Sequence, residues 1–261
     1  MLVLVSGAQA TTNRTFVSNS GDDANAASDC KRPTPCRTFA VAFAHTQSGG
    51  QIVALDATGF GPLTITHPVT VIGPADSSYI SVAANTVGIT LNAGANDRIV
   101  IRNMNISGDG LSNTTGILVN TGRLVLQNSI LKELTTGLKV NSTKADVTNT
   151  DFIGNTVAIA TTGTGIDTNT FPLTGPTSVR IAFGNVLDNG TAYQMNNPGT
   201  ACSGNCNKYT IFAFTIGNSV TVNQAGNTNV ALGTGASCDP NVPSGCMAIG
   251  TYVSTGNQQA P

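Results

Sequence analysis

Three stretches of this chain say nearly the same thing: RIVIRNMNI (98–106), RLVLQNSIL (123–131) and KADVTNTDF (144–152). Each opens on a basic residue, carries an aliphatic residue three positions later and has Asn at its sixth position. Their starts, at 98, 123 and 144, lie 25 and then 21 residues apart. Each is followed by a turn and a second short apolar run: GILV (116–119), GLKV (137–140) and VAIA (157–160). Strand-like alternation recurring roughly every 20–30 residues is the signature of a β-solenoid, because one rung cannot bury its apolar face alone. Less regular copies (LTITHPVTVIG and YISVAANTVGITL before, SVRIAFGNVLDNGTAYQM and KYTIFAFTIGNSVTVN after) extend the pattern. The expectation is roughly seven or eight coils over residues 51–232.

Composition agrees with an all-β fold. Only 10% of residues are charged, Glu133 is the single Glu, and there are 29 Gly. Helical proteins are richer in Glu, Lys, Leu and Ala. A formal net charge of -1 gives no electrostatic reason to expect nucleic acid or an anionic membrane as partner. No segment has the apolar length of a membrane span. The opening MLVLVSGAQA reads as the tail of a secretory signal, with an A-x-A-like site at Ala8-Gln9-Ala10, although a basic start is missing. A first β-strand is the alternative.

The six cysteines fall as Cys30/Cys36, Cys202/Cys206 and Cys238/Cys246. Local closure in an oxidising compartment favours these three disulfides. His45 and His67 are the only histidines, too few for a zinc site with these cysteines. Four segments result: a signal remnant (1–10), an N-terminal strand with a Cys loop and capping helix (11–50), the coils (51–232), and a C-terminal disulfide loop and tail (233–261).

Alternation assigns faces. Ile99, Ile101, Leu124, Leu126, Ala145 and Val147 point inward, while Arg98, Val100, Arg102, Arg123, Val125 and Gln127 point outward. Strict alternation places Asn103, Asn128 and Asn149 on the inner side at one corner, where amides about 4.8 Å apart can bond to one another. On that reading Asn128→Leu costs more stability than Asn113→Leu, because Asn113 lies in a turn.

The pattern Ile101-Arg102-Asn103-Met104-Asn105-Ile106 resembles the right-handed parallel β-helix of the pectin-lyase-like superfamily. The N-terminal part is similar to small secreted bacterial β-helix proteins with an R-T-F-V-S segment (Arg14 to Ser18), a G-x-D turn (Gly21 to Asp23), two nearby cysteines and P-C-R-T-F-A (Pro35 to Ala40). The resemblance covers residues 14–195. It implies a single-stranded, three-sheet right-handed parallel β-helix with a short N-terminal capping helix. That helix falls in CRTFAVAFAHTQSGG, closed by Gly49-Gly50, with Phe39, Ala40, Phe43 and Ala44 as its apolar face. A solenoid needs such a cap over its open end.

The superfamily's lyases and galacturonases carry acids, or an Arg or Lys base, on the outer face of one sheet. The outward positions of the sheet after each long turn are expected to be Thr90, Leu118, Lys139, Ala158 and Gln194, with no carboxylate and one base. Inverting glycosidases need two carboxylates, so this face does not carry the pattern. Turn acids (Asp109, Asp151, Asp167, Asp188) would restore it only by converging in space. Arg98, Arg123 and Lys144 form an outward basic column able to face carboxylates or sulfates along a glycan, unless Asp97 and Asp146 balance it. Asp22, Asp23, Asn25 and Asp29 crowd a loop and are calcium candidates, although Asp and Asn are also ordinary turn residues. No other cofactor is indicated. The leading expectation is a secreted, periplasmic or surface-located non-catalytic scaffold that contacts polysaccharide or itself. The alternatives are a polysaccharide lyase or hydrolase with an atypical site, and an adhesin or phage-type fibre module.

Overall fold

A computed structural model describes residues 12–74, 78–141, 143–162, 178–182, 185–196, 207–212, 215–216, 228–232 and 246–249. They form a parallel β-solenoid of about four turns. The strands are β1 (Thr12–Val17), β2 (Thr46–Ala54), β3 (Leu63–Ile65), β4 (Val69–Ile72), β5 (Ser78–Ser81), β6 (Val87–Asn92), β7 (Arg98–Arg102), β8 (Met104–Ser107), β9 (Thr115–Thr121) and β10 (Arg123–Lys132). There follow β11 (Thr136–Asn141), β12 (Lys144–Ile153), β13 (Val157–Thr162), β14 (Ser178–Ala182), β15 (Asn185–Leu187), β16 (Thr191–Asn196), β17 (Asn207–Phe212), β18 (Thr215–Ile216), β19 (Thr228–Leu232) and β20 (Cys246–Ile249). One ladder runs β1-β2-β4-β7-β10-β12-β14-β17-β19-β20, and a second runs β16-β13-β11-β9-β6-β3. The ladder thus begins at β1, before residue 51, and β20 carries it into the expected C-terminal tail.

The three repeated segments stack residue for residue. Arg98, Arg123 and Lys144 are register partners, as are Ile99, Leu124 and Ala145, and Ile101, Leu126 and Val147. The six aliphatic members are at most 1% exposed. Like stacks on like, so the repeat builds a continuous core with no bulky outlier between rungs.

The asparagines behave differently from a strict alternation. Asn103, Asn128 and Asn149 have φ of 58°, 49° and 48°, the left-handed conformation that Asn tolerates better than other side-chain-bearing residues. This turns the chain at the corner, so positions 127 and 128 both face outward and Ser129 is next inward. The expected inner ladder is therefore an outer one: Asn128 and Asn149 are exposed, with Asn149 Nδ2 donating to Asn128 Oδ1 at 2.9 Å. Asn103 Nδ2 donates instead to the Gly73 carbonyl at 3.2 Å. Asn113 is also left-handed, at φ 54°, and exposed, so Leu is strained at 113 and 128 alike.

A buried amide ladder does exist, one corner later. Glu133, Gly154 and Asp188 are left-handed, and the next residues, Leu134, Asn155 and Asn189, turn inward at 2%, 1% and 0% exposure. Asn189 Oδ1 accepts from Asn155 N at 2.9 Å and Asn155 Nδ2 at 2.8 Å, and Asn189 Nδ2 donates to the carbonyls of Phe152 and Leu187. Asn155 Oδ1 accepts from Leu134 N at 3.1 Å. Each amide satisfies backbone groups that the corner removes from the strand ladder.

The helix α1 (Phe39–Ala44) is shorter than expected. Thr38 caps it, with Oγ1 accepting from Val41 N at 3.3 Å, and it ends at His45 because Thr46 already starts β2. Gly49 and Gly50 lie within that strand rather than closing the helix. Its buried face is Phe39, Ala42 and Phe43, spaced i, i+3, i+4, while Ala40 and Ala44 are exposed. Phe39 packs on Phe60 with ring centres 5.0 Å apart, and Phe43 stacks on His67 at 4.2 Å. The helix lies against β1, β2 and β3 and covers the N-terminal end of the core.

Truncating Asn189 to Ala leaves Asn155 N and two carbonyls short of a partner. At roughly 1–3 kcal/mol per buried group, Asn189→Ala should lose about 3 kcal/mol or more in denaturant melts. Asn128→Gly keeps the left-handed corner and should stay within about 0.5 kcal/mol of the parent. Equal losses would show that the buried amides are not what holds the second corner.

Candidate functional site

The outer surface of the ladder through β4, β7, β10 and β12, the first face, carries three columns in register. Arg98, Arg123 and Lys144 form the first. Thr70, Val100, Val125 and Asp146 form the second, and Ile72, Arg102, Gln127 and Thr148 the third. Asn128 and Asn149 edge the third column at the corner. Pleating puts these side chains outward, and parallel pairing repeats them about every 4.8 Å. The expected basic column thus exists as a geometric unit, Arg98 exposed and Arg123 and Lys144 half-buried. Arg102 on the third column faces the same way, and between the cations Val125 is half-buried while Val100, expected outward, is buried at 9% exposure.

Among the described residues, neither Asp97 nor Asp146 pairs with Arg98, Arg102 or Arg123. Asp97 Oδ2 accepts from Gly94 N at 2.8 Å within its own turn. Asp146 sits in the neighbouring column, with a buried Oδ1 that accepts no hydrogen bond among the described residues. The guanidinium groups of Arg98, Arg102 and Arg123 make no hydrogen bond or ion pair among the described residues. Like charges at one-rung spacing repel, so this arrangement favours an external anion. Each exposed contact contributes only about 0.2–1 kcal/mol, and useful affinity requires several rungs at once.

Lys139 lies on the second ladder, in the column Thr64, Thr90, Leu118, Lys139, Ala160 and Gln194. Ala160 replaces the expected Ala158, which points inward at 0% exposure. The 21-residue spacing that separates β10 from β12 carries over to this face, and Ala158 stacks below the inward Gly116 and Gly137. A Cβ on Gly137 would stand 2.6 Å from the Ala158 carbonyl, which is why the column holds small residues. No carboxylate stands among its residues.

No two of the expected turn acids are brought together among the described residues; Asp109 instead collects hydroxyls, with Glu133 close by. Asp109 accepts from Tyr79 OH at 2.9 Å, Ser81 Oγ at 2.8 Å and Ser107 Oγ at 2.8 Å. Ser107 Oγ also lies 3.5 Å from Glu133 Oε2. Asp188 occupies the left-handed corner position two rungs beyond Glu133, with Gly154 between. Asp151 instead shares an outward column with Asn105 and Ile130, and Asp167 lies outside the described residues. The Ser107, Ser81 and Tyr79 hydroxyls, with the nearby Lys132 charge, hold the Asp109 carboxyl below its ordinary 3.8 despite slight burial. A general acid working near neutrality needs the opposite shift.

The calcium candidates are engaged elsewhere. Asp22 Oδ1 accepts from Ala24 N. Asp23 accepts from Arg37 N at 2.8 Å, Thr38 N at 2.9 Å and Thr38 Oγ1 at 3.0 Å, anchoring the start of α1. Asn25 Nδ2 donates to the Pro35 carbonyl, and Asp29 faces His45 Nδ1 at 3.7 Å. Among the described residues no group of three or more His, Cys, Asp or Glu is placed to hold a metal. The Cys30–Cys36 disulfide is formed. Cys202, Cys206 and Cys238 lie outside the described residues, as do the side chain of Cys246 and hence both remaining pairings.

Asp109 makes a stability signature. Its folded pKa is depressed, so its contribution is complete above the unfolded value and is lost as pH falls through the lower folded one. Melts of the parent and Asp109→Asn should differ above about pH 4 and converge below it. A gap that does not change with pH would show that the carboxylate is not what the three hydroxyls hold.

Comparison with known family models, with curated proteins and with solved structures finds no match to this chain.

Proposed function

We propose that this chain is a non-catalytic β-solenoid of the cell exterior that holds a linear polyanionic glycan along its axis against the first face. The observation that carries the reading is the direct stacking of Arg98 on Arg123, with no counter-ion among the described residues. A chain of acidic or sulfated sugars lying along the solenoid would meet cations on successive rungs, the half-buried Val125, and the Asn128 and Asn149 amides. Apolar side chains suit the C–H faces of sugar rings, and amides suit hydroxyls. The resemblance to the pectin-lyase-like superfamily supports a polymeric glycan as partner. The Cys30–Cys36 disulfide and the Ala8-Gln9-Ala10 sequence support an oxidising, exported setting. No helix among the described residues is long and apolar enough to cross a membrane.

An enzyme with an atypical site is the second reading, and it draws on Asp109 and Glu133 flanking Ser107. The depressed Asp109 pKa weighs against it.

Binding to polyuronate and sulfated glycan oligomers, measured by calorimetry at low salt, should strengthen with length, be negligible for monosaccharides, and weaken as salt screens the charges. Arg123→Glu should abolish binding without lowering the melting temperature, because the side chain is outward. Product analysis should find no cleavage. Absent binding, or binding that survives the reversal, would sink the proposal, and cleavage products would favour the enzyme.

A further inference from the structure

The cation column of the first face has a neighbour around the corner. Asn92, Asn120 and Asn141 stand near the ends of β6, β9 and β11, and their side-chain amides form a row. Asn141 Nδ2 donates to Asn120 Oδ1 at 2.8 Å, and Asn120 Nδ2 donates to Asn92 Oδ1 at 2.9 Å. Asn92 is exposed and the other two are half-buried, so the row lies on the surface. Only residues 121–122 separate Asn120 from Arg123, and the three links place their Cα atoms at most about 11 Å apart. The corner itself is fixed. Gly122 has φ 94°, a Cβ there would stand 2.9 Å from Ile99 Cδ1, and its carbonyl accepts from Thr143 Oγ1 of the next rung. Between Asn92 and Arg98 the longer turn 93–97 closes on itself through Asp97 and Gly94, so the short corners begin one rung later.

The amide row is not saturated. A carboxamide has two N–H donors and an oxygen with two lone pairs. Asn120 uses one donor on Asn92 and one lone pair on Asn141, and its side chain makes no other hydrogen bond among the described residues. Asn92 enters the row only as an acceptor, through Oδ1. The row also fixes which way each amide points, because flipping Asn120 would set oxygen against oxygen and N–H against N–H. A trans acetamido group directs its C=O and its N–H in opposite senses. Laid along the axis, it accepts from Asn92 Nδ2 and donates to Asn120 Oδ1 one rung away. A hydroxyl has a single atom for both roles and serves one rung at a time.

We infer that the polyanion held on the first face carries an acetamido group beside its acid, and that the Asn92–Asn120–Asn141 row reads this group. The inference rests on the glycan reading of the cation column and narrows it from any acidic or sulfated chain to an N-acylated one. The cations attract any anion of suitable spacing, whatever sugar carries it. The amide row supplies the discrimination, since a glycan without the group leaves the row facing water.

Two oligomers of equal length and equal carboxylate number test this, one alternating uronate with N-acetylhexosamine and the other uronate with hexose. Calorimetry at low salt should show the parent preferring the N-acetylated oligomer about tenfold, the effect of one or two hydrogen bonds. Asn120→Ala should remove that preference, weakening the N-acetylated oligomer about tenfold and leaving the other unchanged, at an unaltered melting temperature. Asn92→Ala, at the exposed end of the row, should reduce the preference too and is read alone should Asn120→Ala fail to fold. Arg123→Glu should abolish binding of both oligomers. Equal affinity of the parent for the two, or a preference that survives the asparagine variants, overturns the inference and leaves the cation reading standing. A parent that binds neither oligomer overturns the cation reading and this inference with it.

Discussion

In-register parallel pairing is the constraint from which the rest of this molecule follows. Once Arg123 stands on Arg98 and Lys144 on Arg123, every position of a rung meets its own counterpart about 4.8 Å away. Apolar positions become continuous columns such as Ile101–Leu126–Val147. Polar positions must find partners in copies of themselves, and the carboxamide does this because it donates and accepts at once. The chain uses that property on its surface, where Asn141 donates to Asn120 and Asn120 to Asn92, and in its core, where Asn155 meets Asn189. The two uses differ in consequence: a surface amide exchanges with water at little cost, whereas a buried one strands backbone groups when removed.

A column repeated without limit would have open ends, and the N-terminal end raises two separate problems. The apolar side chains of the first rung are covered by Phe39, Ala42 and Phe43 of α1. The backbone edge of β1 is met by Cys30 and Cys36. Asp23 links the two devices, because it receives the N–H groups of Arg37 and Thr38 just where the Cys loop passes into the helix.

Register also divides binding from catalysis. Repetition generates columns of like groups, which suit a polymer with a repeating charge. Catalysis requires unlike groups to converge, and among the described residues such convergence comes from a turn, that of Asp109. The contact between Asp109, Tyr79, Ser81 and Ser107 exists because the turn after β8 carries Gly108 and Asp109 back over the rung below. The Glu133 turn after β10 has no such insertion, and the same corner presents only one acid.

The amino-acid sequence by itself determined the period, the inward aliphatic columns, the outward basic column and the Cys30–Cys36 pair, because alternation and spacing are local properties of the chain. The tertiary structure decided what happens at corners. Strict alternation carried through Asn103, Asn128 and Asn149 would bury them, but a left-handed residue breaks the alternation, and φ is not written in a two-residue repeat. The buried amides of Asn155 and Asn189 went unread for the same reason: they follow a Glu, Gly or Asp corner with no shared letter. The end of α1 was likewise settled by competition, since Thr46–Gly50 gains more by pairing in β2 than by extending a helix. Contacts between rungs of unequal turn length, Asp109 with Tyr79 above all, depend on where a whole coil closes, and only the assembled solenoid brings those residues together.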